Sequence, residues 1–85
     1  MEPRLAATLV RLAEREGKRS PSGVELPYHL TRQSLADMAG TTVETTIRVV
    51  SRWIRDGLVV DDKGRLVLRK PDALRAMAHG GRPSP

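Results

Sequence analysis

Apolar positions open the chain at helical spacing. From Pro3 to Glu16, Leu5, Leu9 and Leu12 recur at i, i+4 and i+7 between charged residues. That period predicts a first helix, with Pro3 suited to an opening turn and Gly17 to a stop. The next stretch, Lys18 to Gly23 (KRSPSG), has no period and combines Pro, Gly and two serines, so an exposed loop is expected. Residues 25–30 then alternate: Leu26, Tyr28 and Leu30 on one side, Glu25, Pro27 and His29 on the other. This reads as a half-buried strand that Pro27 confines to a sheet edge, with His29 facing solvent.

Thr31 precedes RQSLADMA and is placed to cap a short second helix through its hydroxyl. Leu35, Met38 and Ala39, at i, i+3 and i+4, are expected on its core face, and Gly40 to end it in a left-handed conformation. After Gly40, Thr41 and Thr42 a third helix runs to about Asp56, where Gly57 closes it. Two helices joined by a short glycine turn form a helix-turn-helix. The segments LVV and RLVLR flank Asp61-Asp62-Lys63-Gly64, a type I turn opened by aspartate with Gly64 at its positive-φ end. In this hairpin Leu66 and Leu68 point one way and Arg65, Val67 and Arg69 the other, giving a basic outer face. Pro71 starts a closing helix carrying Leu74, Met77 and Ala78, and the tail HGGRPSP is expected to be disordered.

The fold class that follows is α+β: a winged helix-turn-helix, with a helical core, a small antiparallel β-sheet and a wing hairpin. Residues 1–79 make one domain, with the helix-turn-helix at about 31–56, the wing at about 58–69 and the closing helix at about 71–78; 80–85 form the tail.

On a helical wheel at about 100° per residue, Thr46, Val49, Val50 and Trp53 of the third helix cluster on one side. Glu44, Arg48, Ser51, Arg52 and Arg55 cluster on the opposite side. The first set is read as core, Trp53 included. The second presents three arginines and a carboxylate on a helix that fits the major groove, about 12 Å wide.

Charge strengthens that reading. Lys and Arg outnumber Asp and Glu by 15 to 10, for a net charge of +5, and 12 of the 15 are arginine. The guanidinium fork matches phosphate oxygens and guanine edges, so a polyanion is the favoured partner. Anionic membrane surfaces and plain solubility compete for the same charge, but one Trp and one Tyr are too few for a single-strand stacking platform, a filter that duplex binding passes better. With no cysteine and two distant histidines, neither a metal site nor a catalytic constellation assembles, and no enzyme activity or cofactor is expected. No apolar run is long enough to span a bilayer, so a soluble, cytoplasmic protein without membrane contact is expected.

The run LTRQSLADMAGTTVETTIRVVSRWIRDGLVVDDKGRLVL resembles the C-terminal DNA-binding domain of the cyclic-AMP receptor protein and fumarate-nitrate reductase regulator (Crp-Fnr) family. KPDALRAMA resembles the helix that often closes it. The motif-bearing parts are LTRQ-x-LA-x-x-xG and T-x-ET-x-x-R, the latter similar to the family's S-R-E-T-V-x-R recognition helix. The resemblance implies that Thr42 and Thr45 hold phosphates while Glu44 and Arg48 read bases. It places Thr31, Arg32 and Gln33 near the DNA backbone and makes Arg65 a basic wing residue; Arg52 is added as a phosphate contact from its outward position. The chemistry agrees: a carboxylate accepts from cytosine N4, and an arginine donates two bonds to guanine O6 and N7.

Val43 departs from the family pattern, standing where a first base-reading arginine is usual. It is expected to touch a thymine methyl or to read nothing. Glu44 has a competing reading, because Thr41-Thr42-Val43-Glu44 fits a capping box in which the glutamate bonds back to the backbone. The family's N-terminal ligand-binding barrel and long dimer helix have no counterpart in the sequence, so no effector site is implied, and the chain is read either as an excised module or as a stand-alone one. The resemblance implies a palindromic operator in double-stranded DNA, a homodimeric full-length regulator and RNA polymerase as its partner; the isolated domain is expected to be a monomer. The alternative function is a winged helix used for protein docking, for which Val43 and Ile47 form the candidate apolar strip.

Overall fold

The computed structural model describes residues 2–27 and 30–79. The expected orientations of Tyr28 and His29 and the expected disorder of the tail beyond His79 fall outside these residues.

Four helices and a four-stranded antiparallel sheet alternate along the chain. The first helix, α1 (Glu2–Glu16), buries Leu5, Leu9 and Leu12 as their spacing requires, with Ala6 and Val10 beside them. The segment expected to be a loop is a hairpin instead. Strand β1 (Lys18–Ser20) pairs with β2 (Gly23–Glu25), and Pro21-Ser22 form the bend. Gly23 makes this arrangement possible. Its φ is 138°, and a Cβ there would lie 2.2 Å from the Leu68 carbonyl oxygen, so only glycine lets the backbone come so close. The strand expected at residues 25–30 accordingly ends at Glu25, although Leu26 still donates from its amide to the Leu66 carbonyl at 2.9 Å. Leu26 and Leu30 are buried, as the alternation requires.

Helix α2 (Arg32–Ala39) begins at Thr31, whose hydroxyl accepts from the Ser34 amide at 3.0 Å, and ends at Gly40, with φ 73° and ψ 37°. Met38 is not a core residue. It is 52% exposed, and Ala36 takes its place beside Leu35 and Ala39. On so short a helix the buried stripe is narrow, and Met38 lies about 100° from its centre. Helix α3 (Val43–Arg55) buries Thr46, Val49, Val50 and Trp53.

The wing consists of β3 (Val59–Asp62) and β4 (Arg65–Leu68). Its connection is two residues, Lys63 and Gly64, with φ of 54° and 90°. This is the sign pattern of a primed turn, not the expected type I, because the primed twist matches that of the flanking strands. Asp61 helps to shape it, its Oδ1 accepting from the Gly64 amide at 3.0 Å. The outer face is also less basic than expected. The sheet order β1-β2-β4-β3 makes β4 an interior strand, and Val67 stands between Glu25 on β2 and Val60 on β3, whose side chains flank it; it is buried along with Leu66 and Leu68. Helix α4 (Pro71–Ala78), with Pro71 in its first turn, inserts Leu74 into the core and rests Met77 and Ala78 against it.

Candidate nucleic-acid interface

Helix α3 is fixed at its start and along its back, which leaves one face to solvent. At its start, Thr42 is the capping residue: its Oγ1 accepts from the Thr45 amide at 3.1 Å and its hydroxyl donates to Thr45 Oγ1 at 3.0 Å. Thr42 as cap puts Thr45, not Glu44, at the third helical position, so the capping box written in Thr41 and Glu44 does not form. Glu44 is exposed instead, on the first turn where the amide dipoles favour a carboxylate. Along the back, Thr46 Oγ1 donates to the Thr42 carbonyl at 3.0 Å and Val49, Val50 and Trp53 enter the core.

Glu44, Arg48 and Arg55 project from the solvent face, all exposed, and none makes a hydrogen bond or ion pair within the described residues. Their polar atoms are therefore available to a ligand without breaking an internal contact. Val43 is half-buried at the head of this face, and Ile47 beside it is 48% exposed.

Other arginines assigned to phosphate are already held by carboxylates. Arg52 pairs with Glu2, whose other carboxylate oxygen accepts from the buried Trp53 Nε1 at 3.2 Å. One carboxylate thus ties the first turn of α1 to two residues of α3. Arg32, in the first turn of α2, lies 3.6 Å from Asp61 on β3, which ties the helix-turn-helix to the wing. Arg65 donates to Glu25 Oε1 at 2.6 Å, tying the wing to β2. Gln33 donates to Asp37 Oδ1 at 2.9 Å, and Thr31 donates to Ser34 Oγ at 3.0 Å. The Arg52–Glu2 pair is exposed and pairs of that type are individually weak, so a phosphate can take the carboxylate's place at little cost, whereas Arg65–Glu25 is partly buried and held more firmly.

Glu2, Asp61 and Glu25 carry no sequence signal as partners of these arginines. Each contact joins residues far apart in the chain, and no local spacing marks it. Arg55 faces outward as the helical wheel requires, exposed like Arg48 and without a partner among the described residues.

Among the described residues no cluster of three His, Cys, Asp or Glu could hold a metal ion, and no helix is long and apolar enough to cross a membrane.

The family model of the Crp-like helix-turn-helix domain matches residues 3–77 of this chain. The nitrogen fixation regulation protein FixK of Rhizobium meliloti is 38% identical over 77 residues, which cover 89% of this chain and 35% of that protein. The fumarate and nitrate reduction regulatory protein of Salmonella typhimurium is 32% identical over 77 residues, 91% of this chain and 31% of its own length. Among solved structures, the CO-dependent transcription factor CooA from Carboxydothermus hydrogenoformans superposes with a TM-score of 0.82 at 27% identity, covering 91% of this chain and 36% of that one. The chain therefore spans about a third of the length of the relatives it matches.

Proposed function

Because this chain belongs to the family of the Crp-like helix-turn-helix domain, we propose that it binds double-stranded DNA as the DNA-binding module of a transcription regulator, with α3 in the major groove. The observation that carries this reading is the solvent face of α3. Glu44 and Arg48 stand on it one helical turn apart, exposed and without a partner among the described residues, on a helix whose cap and buried back fix its position.

In this reading Arg48 donates to guanine O6 and N7 and Glu44 accepts from cytosine N4, while Val43 offers a methyl contact or none. Thr42 and Thr45, at the N-terminus of α3, address a phosphate through the hydroxyls and the unpaired amides of the first turn. Thr31, Arg32 and Gln33 do the same at the start of α2. Arg65 contributes from the wing and Arg52 from the flank of α3, each exchanging its carboxylate for phosphate. Residues 1–79 act as the binding domain, in the cytoplasm, and no catalytic step is assigned to them. A lone copy is a monomer that binds weakly; two copies on a palindrome, as in a homodimeric full-length regulator that also meets RNA polymerase, bind with specificity.

The test is selection of random duplexes by two copies of the chain joined through a flexible linker. An enriched half-site is expected. Arg48→Ala should erase the preference at one base pair and Glu44→Ala at a neighbouring one. A pool that stays random for the parent chain overturns the reading.

A docking role has one observation in its favour, the exposure of Ile47 and Met38. It predicts binding to a protein partner that survives high salt, whereas duplex binding weakens steeply with it.

A further inference from the structure

Of the large apolar residues on α3, Val49, Val50 and Trp53 are buried, and Ile54 packs against the core. Ile47 does neither. It is 48% exposed on the same side as the unpartnered Glu44 and Arg48. Its neighbours one turn away are Val43, Glu44 and Ser51, so an aliphatic strip of Val43 and Ile47 borders the polar reading groups. A helix face that enters the major groove meets hydrogen-bonding edges and one kind of apolar group, the C5-methyl of a pyrimidine. Isoleucine suits that target, since its β-branch holds one dominant rotamer in a helix and little freedom is lost on contact.

We propose that Ile47 is a specificity-determining residue that recognises the C5-methyl group of a pyrimidine in the major groove, beside the base pair addressed by Glu44. This rests on the duplex-binding reading above. The reach fits: side chains three apart on a helix stand about 5 to 6 Å from one another, against a rise of about 3.4 Å per base pair. Ile47 thus falls on the pair next to that of Glu44 or the one after it. Thymine always carries the methyl; 5-methylcytosine carries it on a C·G pair.

The test starts from the duplex selected by the linked pair of chains. Each thymidine is replaced in turn by deoxyuridine, which deletes the methyl and leaves every hydrogen-bonding edge. One replacement, beside the base pair that depends on Glu44, should weaken binding about fourfold, the value of one buried methylene. Ile47→Ala should bind the thymidine and deoxyuridine duplexes equally at that position and keep the parent's unfolding temperature, because the side chain it removes lies outside the buried core. If the selected half-site has a C·G pair there instead, cytosine against 5-methylcytosine should show the same fourfold preference in the parent and none in the variant. Indifference of the parent to every C5-methyl overturns the proposal, as does full discrimination retained by Ile47→Ala. A flat methyl scan on a duplex whose binding still depends on Arg48 removes the Ile47 assignment alone. Failure to enrich any duplex removes the duplex-binding reading beneath it.

Discussion

Arg48 and Arg52 are four residues apart on one helix and both arginine, yet their surroundings give them different roles. Arg52 is held by Glu2, which also holds the Trp53 indole, whereas the Arg48 side chain makes no hydrogen bond or ion pair among the described residues. Arg48→Ala should therefore leave stability unchanged and cost duplex affinity of about 1 to 3 kcal/mol at its preferred base pair; urea unfolding and competition binding measured together would show it. Glu44→Ala separates the two readings of that residue. With Thr42 as the cap, its loss should cost no more than about 1 kcal/mol, the helix-dipole share, while base preference relaxes. A large stability loss with preference intact would restore the capping role. The sequence could not choose here, because adjacent threonines at 41 and 42 both precede a helix and a shift of one residue decides where the glutamate stands. The Glu2 tether was hidden for another reason: its partners lie 50 and 51 residues away.

At the scale of elements, those with a long apolar period or a strong end signal could be read from the chain. Helix α3 has both, with a four-residue buried stripe and a hydroxyl cap. Thr42→Ala should cost about 1 kcal/mol through the lost cap, and it should also weaken duplex binding, a pairing of effects that a purely structural residue would not show. Elements of three residues carry no period. Strands β1 and β2 were therefore invisible, and their hairpin depends on the close approach of Gly23 to Leu68 rather than on any pattern. Gly23→Ala is expected to destabilise the protein by about 2 kcal/mol or more, measurable as a lowered urea midpoint, since both the φ and the missing Cβ space oppose a side chain. Met38 and Val67 were misplaced because a side chain's burial depends on which elements flank it: α2 leaves Met38 to solvent, and the interior position of β4 covers Val67.

For the whole molecule, the fold turns an excess of five positive charges into an uneven surface. Arg32, Arg52 and Arg65 are paired with carboxylates at the junctions between elements, which leaves Arg48 and Arg55 as the cations of the reading helix without a partner among the described residues. Net charge alone therefore overstates what a duplex meets at first contact. The most direct measurement is the salt dependence of duplex binding for the parent chain and for Arg48→Glu combined with Arg55→Glu, two changes that break no side-chain hydrogen bond or ion pair among the described residues. The parent's log affinity should fall steeply and linearly with log salt, and the variant should bind more weakly with a shallower slope, since two cations facing the duplex become anions and fewer counterions are released. Equal slopes and equal affinities for the two proteins would contradict a reading head on α3.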